Sequence, residues 1–427
     1  MARSARLDIE GNEYQLPLVE GSEAELGIDI SELRGESGAI TLDPAYKNTG
    51  ACESSICYID GEAGILRYRG YPIEDLAEQS SFLEVAYLLV KGELPSRQEL
   101  DGWVDTIVHH TMLHEDLRHL YSAFPKNAPP MAVCAAVTGA LSSFYPDDLD
   151  PDDARQVEIS VDRLIAKFPT IAAYSYKHSL GQPFLYPDNS LGYVENFLRM
   201  MFGTPCEPYL VDTVVARALD VLLILHADHE QNCSTSTVRL VGSSHANIFA
   251  SMAAGIMALW GPRHGGANMD VIRMLESIAD EGLTAQEFVD RAKDRRDTSR
   301  LMGFGHRVYK NFDPRAKIIK KSASEVLERL GVRSTLLEIA VDLERIALED
   351  EYFIERKLYP NVDFYSGVIF KAIGLPTTIF TALFAMGRLP GWIAHWRELH
   401  EQKQPIGRPR QIYVGPTLRP FAPIAKR

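Results

Sequence analysis

The chain has 427 residues and sets 44 Lys+Arg against 58 Asp+Glu, a formal charge of −14. With 46% hydrophobic and 9% aromatic residues it has ample material for a core spread over about two or three domains. The acidic balance argues against non-specific attachment to nucleic acid or an anionic membrane, both of which need a basic surface.

In chain order, residues 7–9 and 14–18 alternate in the manner of strands around a turn at Glu10-Gly11-Asn12. A second hairpin is predicted from 55–59 and 65–68, joined by Asp60-Gly61-Glu62-Ala63-Gly64. After Pro72 the apolar spacing becomes helical, with helices expected over 74–94, 97–121, 130–144, 153–176, 194–201 and 208–229. Further helices are expected over 247–260, 268–281, 285–294, 314–330, 334–348, 365–373 and about 377–401, and the tail 402–427 reads as extended. The fold class is mainly α, with a small N-terminal β region over 1–70.

The apolar runs at 249–260 and 367–387 are too short or too interrupted to span a bilayer, which takes about 20 residues. The opening MARSARLDIEG has no apolar run after its arginines, so no secretory signal is expected. Cys52, Cys57, Cys134, Cys206 and Cys233 are odd in number and include no C-x-x-C, which disfavours a disulfide framework or a zinc knuckle; a cytoplasmic protein is expected.

Four segments place polar chemistry in glycine-rich or apolar surroundings. The first, LHADHEQN at 225–232, ends a helix, with His229 on the buried line four residues after Leu225. His226, His229 and Glu230 are metal-ligand types, but a capped helix end with a hydrogen-bonded core histidine is the plainer reading. The second, GPRHGGAN at 261–268, puts His264 on a tight loop opening a helix, where free N–H groups and the helix dipole favour an imidazole donating to a developing oxyanion. A surface turn with a solvated histidine is the alternative. The third, GFGHRVYK at 303–310 followed by Asp313-Pro314-Arg315, lacks the third glycine of a dinucleotide fingerprint. It sets backbone groups beside His306, Arg307, Lys310 and Arg315, which suits an anionic ligand with a polarised carbonyl; a basic loop between solvated helices is the alternative. The fourth, NVDFYSG at 361–367, holds Asp363 either as a helix N-cap or as a carboxylate whose apolar surroundings make it a stronger base. Arg388 and Arg408 add guanidinium groups suited to carboxylates.

Together these strings closely resemble the citrate synthase family, in its longer bacterial form, over essentially the whole chain. The resemblance implies a large helical domain (71–267 with 374–427) and a small one (268–373) hinged beside the substrate. It implies Asp363 as the general base on acetyl-CoA, His264 as the group stabilising the enol or enolate, and His306 as the group polarising and protonating the oxaloacetate carbonyl. His229, Arg315, Arg388 and Arg408 would hold the dicarboxylate, with Arg408 reaching in from a partner subunit, so that a homodimer is the minimum active unit. Leu301, Met302, Gly303, Phe304, Gly305 and Lys310 would contact CoA. No metal or redox cofactor is expected. The longer bacterial form further implies a homohexamer inhibited by NADH at His110, Thr111, Met112, Tyr145, Arg163, Lys167, Asn189, Thr204 and Cys206. One departure is His109, where that form often has arginine, which weakens NADH binding or makes it depend on pH. A 2-methylcitrate synthase acting on propionyl-CoA is the nearest rival, since one methylene shifts pocket affinity by only about 1–3 kcal/mol.

Overall fold

Alternation at the start of the chain becomes antiparallel sheet. The computed structural model describes residues 3–294, 296–306, 308–331 and 334–427. Strand β1 (Ser4–Ile9) pairs with β2 (Asn12–Glu20), and β3 (Leu26–Ile28) adds to the far edge of β2. Leu16 of β2 and Leu33 of the short helix α1 (Leu33–Ser37) are the buried apolar residues of this segment. The chain divides into two compact units: residues up to Glu53 with Ile406–Arg427, and Ser54–Pro405. In the first unit, the tail from Ile406 has no regular structure beyond a single turn at Ile424–Lys426.

The second unit opens with β4 (Cys57–Asp60), β5 (Ile65–Tyr68) and β6 (Tyr71–Pro72), the hairpin expected from the Asp-Gly turn. Asp60 accepts from the N–H groups of Glu62 and Ala63 and so closes that turn. The expected β region therefore spans both units. Tyr68 is fully buried; its hydroxyl sits 3.0 Å from the Asp228 carbonyl and 3.2 Å from that of Ile224.

Helices follow, and their caps explain where the periodicity misplaced a boundary. The expected helix 74–94 is two, α2 (Ile73–Gln79) and α3 (Phe82–Lys91), because Ser80 is extended and Ser81 caps α3. Likewise 97–121 breaks into α4 (Arg97–His109) and α5 (Glu115–Ser122), the latter capped by His114. Then come α6 (Pro130–Phe144), α7 (Ala154–Leu180), α8 (Tyr193–Phe202) and α9 (Thr213–His226). Helix α10 (Cys233–Gly242) was not anticipated: its small and β-branched residues give a weak helical pattern. It is followed by α11 (Ile248–Leu259), α12 (Ala267–Asp280), α13 (Ala285–Lys293), α14 (Pro314–Leu330), α15 (Thr335–Glu349) and α16 (Glu351–Glu355). The last two are α17 (Val362–Ala372) and α18 (Phe380–Glu401).

Helix α18 is buried on nearly every side: it packs on α3, α7, α9, α10 and α11, Trp392 and Trp396 are among the largest fully buried side chains, and Arg388, His395 and Glu398 are buried with them. Helices α12, α14, α15 and α17 pack on one another, and α14 also rests on α9. The bend after α9, the first turns of α14 and α17 and the middle of α18 carry His229, Arg315, Asp363 and Arg388, the residues expected at the site. Among the described residues, no helix is long and apolar enough to cross a membrane.

Candidate active site

Helix α9 stops at His226, short of the expected His229. Glu230 then turns the chain with φ of 51°, and His229 is buried in this bend, not on a helix face. Its ring lies 5.2 Å from that of His306 and 5.6 Å from that of Tyr309, and the His306 and Tyr309 rings are 4.8 Å apart. The Arg315 guanidinium stands 5.8 Å from the Tyr309 ring. Arg388 is buried on α18 and donates through Nε to the carbonyl oxygen of His226 at 2.6 Å. Both buried guanidiniums act electrostatically on the His229 imidazole, and Arg315 acts on that of His306 as well. Among the described residues, the buried His226 Nε2, His229 Nε2 and Tyr309 hydroxyl have no hydrogen-bond partner. Buried polar atoms left unpaired in a native fold call for an explanation, and mark this cluster as a candidate binding site.

Burial, reinforced by the Arg315 charge, pushes His306 down to about 4 and holds His229 well below the ordinary histidine range. Both imidazoles are therefore neutral at physiological pH. Burial likewise takes His226 down to about 3, and its Nδ1 donates to the Leu222 carbonyl at 2.7 Å.

His306 lies in a loop that is itself clamped. The Gly305 N–H donates to Tyr359 O at 2.8 Å, the Asn361 N–H to Gly303 O at 2.9 Å, and the Asn361 side chain to Gly305 O at 2.9 Å. Gly303 has φ of 78°, and a Cβ there would stand 2.7 Å from Val271 and 2.9 Å from Phe364. From the other side the β4–β5 turn presses in: a Cβ on Gly61 would stand 2.3 Å from the Val308 carbonyl oxygen, and Lys310 N–H donates to Gly61 O. The backbone N–H groups of Val308 and Tyr309 both donate to His306 Nδ1, at 3.0 and 3.2 Å. With Nδ1 accepting, the neutral ring carries its proton on Nε2.

Asp363 stands in the first turn of α17. The cap is Asn361, whose side chain accepts from the Asp363 N–H at 3.0 Å, so the N-cap reading of Asp363 gives way. Asp313 supports the same turn by accepting from the Val362 N–H at 3.1 Å. Burial pushes the Asp363 carboxyl up to about 6, against the pull of the Arg315 guanidinium. A carboxylate so placed is a stronger base than a solvated one and is still ionised near neutrality.

His264 occupies the turn before α12, with its N–H bonded to Gly261 O at 2.9 Å. Its Nε2 accepts from the Ser234 N–H at 3.2 Å and lies 2.8 Å from Ser234 Oγ, at the N-terminus of α10. Trp392 donates to the same hydroxyl, whose oxygen also lies 2.7 Å from Asn232 Oδ1. Nε2 is thereby an acceptor, and the ring proton sits on Nδ1. Phe384 connects this side to the first cluster: its ring is 6.4 Å from His264, 4.7 Å from His226 and 5.0 Å from the Arg388 guanidinium.

Residues 45–410 match the family described as citrate synthase, C-terminal domain. The chain is 59% identical over 425 residues to citrate synthase 1 of Mycobacterium tuberculosis, covering 99% of each, and 55% identical to citrate synthase of Corynebacterium glutamicum, covering 99% of this chain and 97% of that one. This chain belongs to the citrate synthase family. It is an acyltransferase that forms a carbon–carbon bond. The fold agrees: citrate synthase from Pyrobaculum aerophilum superposes with a TM-score of 0.83 at 36% identity, over 96% of this chain and 97% of that one. Citrate synthase from Thermoplasma acidophilum, solved as a ternary complex with carboxymethyl coenzyme A and oxaloacetate, gives 0.82 at 32% identity over 91% of this chain and all of that one.

The remaining positions expected of a citrate synthase fall as follows. Leu301–Gly305 forms the clamped loop just described, with the Met302 N–H on the Met274 sulfur at 3.2 Å. Arg307 lies outside the described residues. Arg408 belongs to the first compact unit and is exposed. Lys167 donates to the carbonyls of His110 and Met112, Thr170 to that of Thr111, and Arg163 lies 4.0 Å over the Tyr145 ring. Burial takes Lys167 down to about 8. Asn189 and Cys206 are exposed, and Thr204 pairs with Glu207 in an isolated bridge. His109 bonds the carbonyl of Asp105 at 2.8 Å and lies 3.3 Å from its carboxylate.

Sequence reasoning missed Ser234 and Trp392 behind His264, Tyr309 between the imidazoles, and the Asp228–His395 contact at 3.3 Å beneath His229. Asn232 before Cys-Ser-Thr-Ser is a capping pattern that would have revealed α10 and the N–H held by His264. Trp392 and His395 come from α18, far away in sequence, and left no local signal, whereas Tyr309 and Asp228 lie within the quoted strings and read there as an ordinary aromatic and acid.

Proposed function

We propose that this chain condenses acetyl-CoA with oxaloacetate and hydrolyses the citryl thioester, releasing citrate and CoA. The observation that carries the reading is the convergence of neutral His229 and His306 with buried Arg315 and Arg388 around unpaired polar atoms, beside a carboxyl at Asp363 held at about 6. The guanidiniums neutralise the two carboxylates of oxaloacetate, with Arg408 of a second subunit completing the set. Asp363 removes a methyl proton from the acetyl group while His264, through Nδ1–H, donates to the thioester oxygen; base and donor acting together make a weakly acidic C–H removable. The enol carbon attacks the ketone carbon of oxaloacetate. His306 polarises that ketone through Nε2–H and supplies the proton to the new alkoxide. Water then cleaves the citryl thioester, with closure of the small domain over the large one protecting acetyl-CoA from premature hydrolysis. Leu301–Gly305 and Lys310 take the CoA. No step calls on a metal or redox cofactor.

The finer assignment is the longer bacterial type: a homohexamer built on homodimers, cytoplasmic, and inhibited by NADH at the 110–112 segment with Tyr145, Arg163 and Lys167. Their clustering supports this, and histidine at 109, where that form often has arginine, should leave NADH inhibition weaker or dependent on pH. NADH inhibition that does not change as pH is lowered toward about 6 would remove the pH-dependent role given to His109.

The direct experiment follows release of CoA thiol from acetyl-CoA with and without oxaloacetate, for the native chain and Asp363→Ala. Oxaloacetate-dependent release that the variant abolishes supports the reading. Folded protein releasing no CoA would overturn it, and faster turnover of propionyl-CoA would favour the 2-methylcitrate reaction.

A further inference from the structure

Away from this site, three ligand-type side chains meet on the surface of the second unit. Asp152 lies in the acidic segment just before Asp153, the cap of α7, His245 lies in the turn between α10 and α11, and His400 lies in the last turn of α18. One ligand atom from each falls within 4.8 Å of the other two, and they are the one such group of histidine, cysteine or carboxylate among the described residues. His226, His229 and Glu230, weighed above as metal ligands, do not form one.

The separate observations on these residues agree. Asp152 Oδ2 is 3.7 Å from His245 Nδ1, and the rings of His245 and His400 are 5.3 Å apart. The His400 ring packs at 4.2 Å against Trp396, which holds it in place, and its buried Nε2 has no hydrogen-bond partner among the described residues. An imidazole nitrogen removed from water and left unbonded is costly unless something binds it. His245 adopts φ of 59°, a left-handed conformation disfavoured for a residue with a Cβ. Asp152 and His245 are exposed, so an ion reaches them from solvent.

Two imidazoles and a carboxylate suit divalent ions of the zinc and cobalt class, which keep an open position for water when the protein supplies three ligands. Bond lengths of about 2.0–2.1 Å place neighbouring ligand atoms of a tetrahedral site about 3.3 Å apart. The observed 3.7 Å between aspartate and histidine closes to that value with a small side-chain rotation. We propose that Asp152, His245 and His400 form a binding site for a zinc-class divalent ion, which ties the start of α7 and the α10–α11 turn to the end of α18. The site is independent of the catalytic reading, and the helix it braces is the one that carries Arg388.

The test uses the full chain, stripped with a chelator and dialysed at neutral pH against micromolar Zn2+ and, separately, Co2+. One ion per chain is expected, with the intense visible bands of tetrahedral cobalt, and Zn2+ should raise the unfolding temperature. Asp152→Asn and His245→Ala alter exposed residues, so the fold is kept; each should weaken binding by at least about tenfold and remove the thermal shift. His400→Ala should do the same. Absence of stoichiometric binding, or binding by the Asp152 and His245 variants equal to that of the native chain, would overturn the proposal.

Discussion

Asp313 grips Arg315 two residues along the chain through two parallel bonds, Nε to Oδ1 and Nη2 to Oδ2, each 2.9 Å, with both side chains almost fully buried. Burial alone would raise the Asp313 carboxyl and lower Arg315; the pair overcomes this, holding the carboxyl below and the guanidinium above their ordinary values. Asp313 also caps α14 and accepts from the start of α17, so one carboxylate aims the guanidinium and positions the turn carrying Asp363. Asp313→Asn should raise the KM for oxaloacetate roughly tenfold and destabilise by about 3–5 kcal/mol, the usual cost of breaking a buried pair. Denaturant unfolding and steady-state kinetics check both. Because the folded-state carboxyl lies below its ordinary value of 3.8, the stabilisation is complete at neutral pH and is lost only as pH falls below that value.

The Asp363 carboxyl, raised to about 6, gives kcat/KM an acid limb: activity should fall as pH drops through about 6, because only the ionised form accepts a proton. Asp363→Ala should lower kcat by about 10²–10⁴. The stability sign is opposite to that of Asp313. A folded-state value above the ordinary 3.8 means this group favours folding at low pH and costs stability as pH rises through about 6. Asp363→Asn should therefore stabilise the chain at neutral pH by about 1–3 kcal/mol while abolishing turnover. An unfolding midpoint below that of the native chain would show that the ionised carboxylate is not strained by burial.

Ser234 fixes the His264 tautomer from behind. Ser234→Ala keeps the backbone donor to Nε2 but removes the hydroxyl and leaves the Trp392 N–H unpaired. Orienting partners of this kind are commonly worth about tenfold, so kcat should fall by about that factor with the KM for oxaloacetate unchanged. A rise in that KM with kcat intact would place His264 in binding instead.

Gly61→Ala tests the hairpin. Its Cβ would meet the Val308 carbonyl at 2.3 Å and shift the two N–H groups that hold His306 Nδ1. A loss of at least about tenfold in kcat/KM is expected with the helical circular dichroism intact. Gly102→Ala, a helical position whose added methyl meets nothing within 4 Å, is the control and should be neutral or stabilise by about 0.4–1 kcal/mol.

Much of this was legible without coordinates. Helices α6 and α14 fall where their apolar spacing and opening prolines put them, since periodicity and N-terminal proline act locally. His264, His306 and Asp363 stand out because each sits where glycines or apolar neighbours make a charged or polar group conspicuous. Boundaries failed where a cap outweighed periodicity, as at Ser81 and His114, and α10 was missed because small residues carry little periodic signal.

Residue order alone supplies the inventory: a mainly helical chain, its family strings, and the residue types for a base, imidazoles and guanidiniums. Their chemical state is set by the packing of distant segments. Which nitrogen of each imidazole carries the proton depends on backbone donors at Ser234, Val308 and Tyr309, and the raised Asp363 carboxyl depends on burial set by α17 and its neighbours. Asp152, His245 and His400 are unremarkable apart in sequence and become a ligand set only in space. Proton affinity and metal affinity are set by distance and desolvation, and neither is a property of residues taken one at a time.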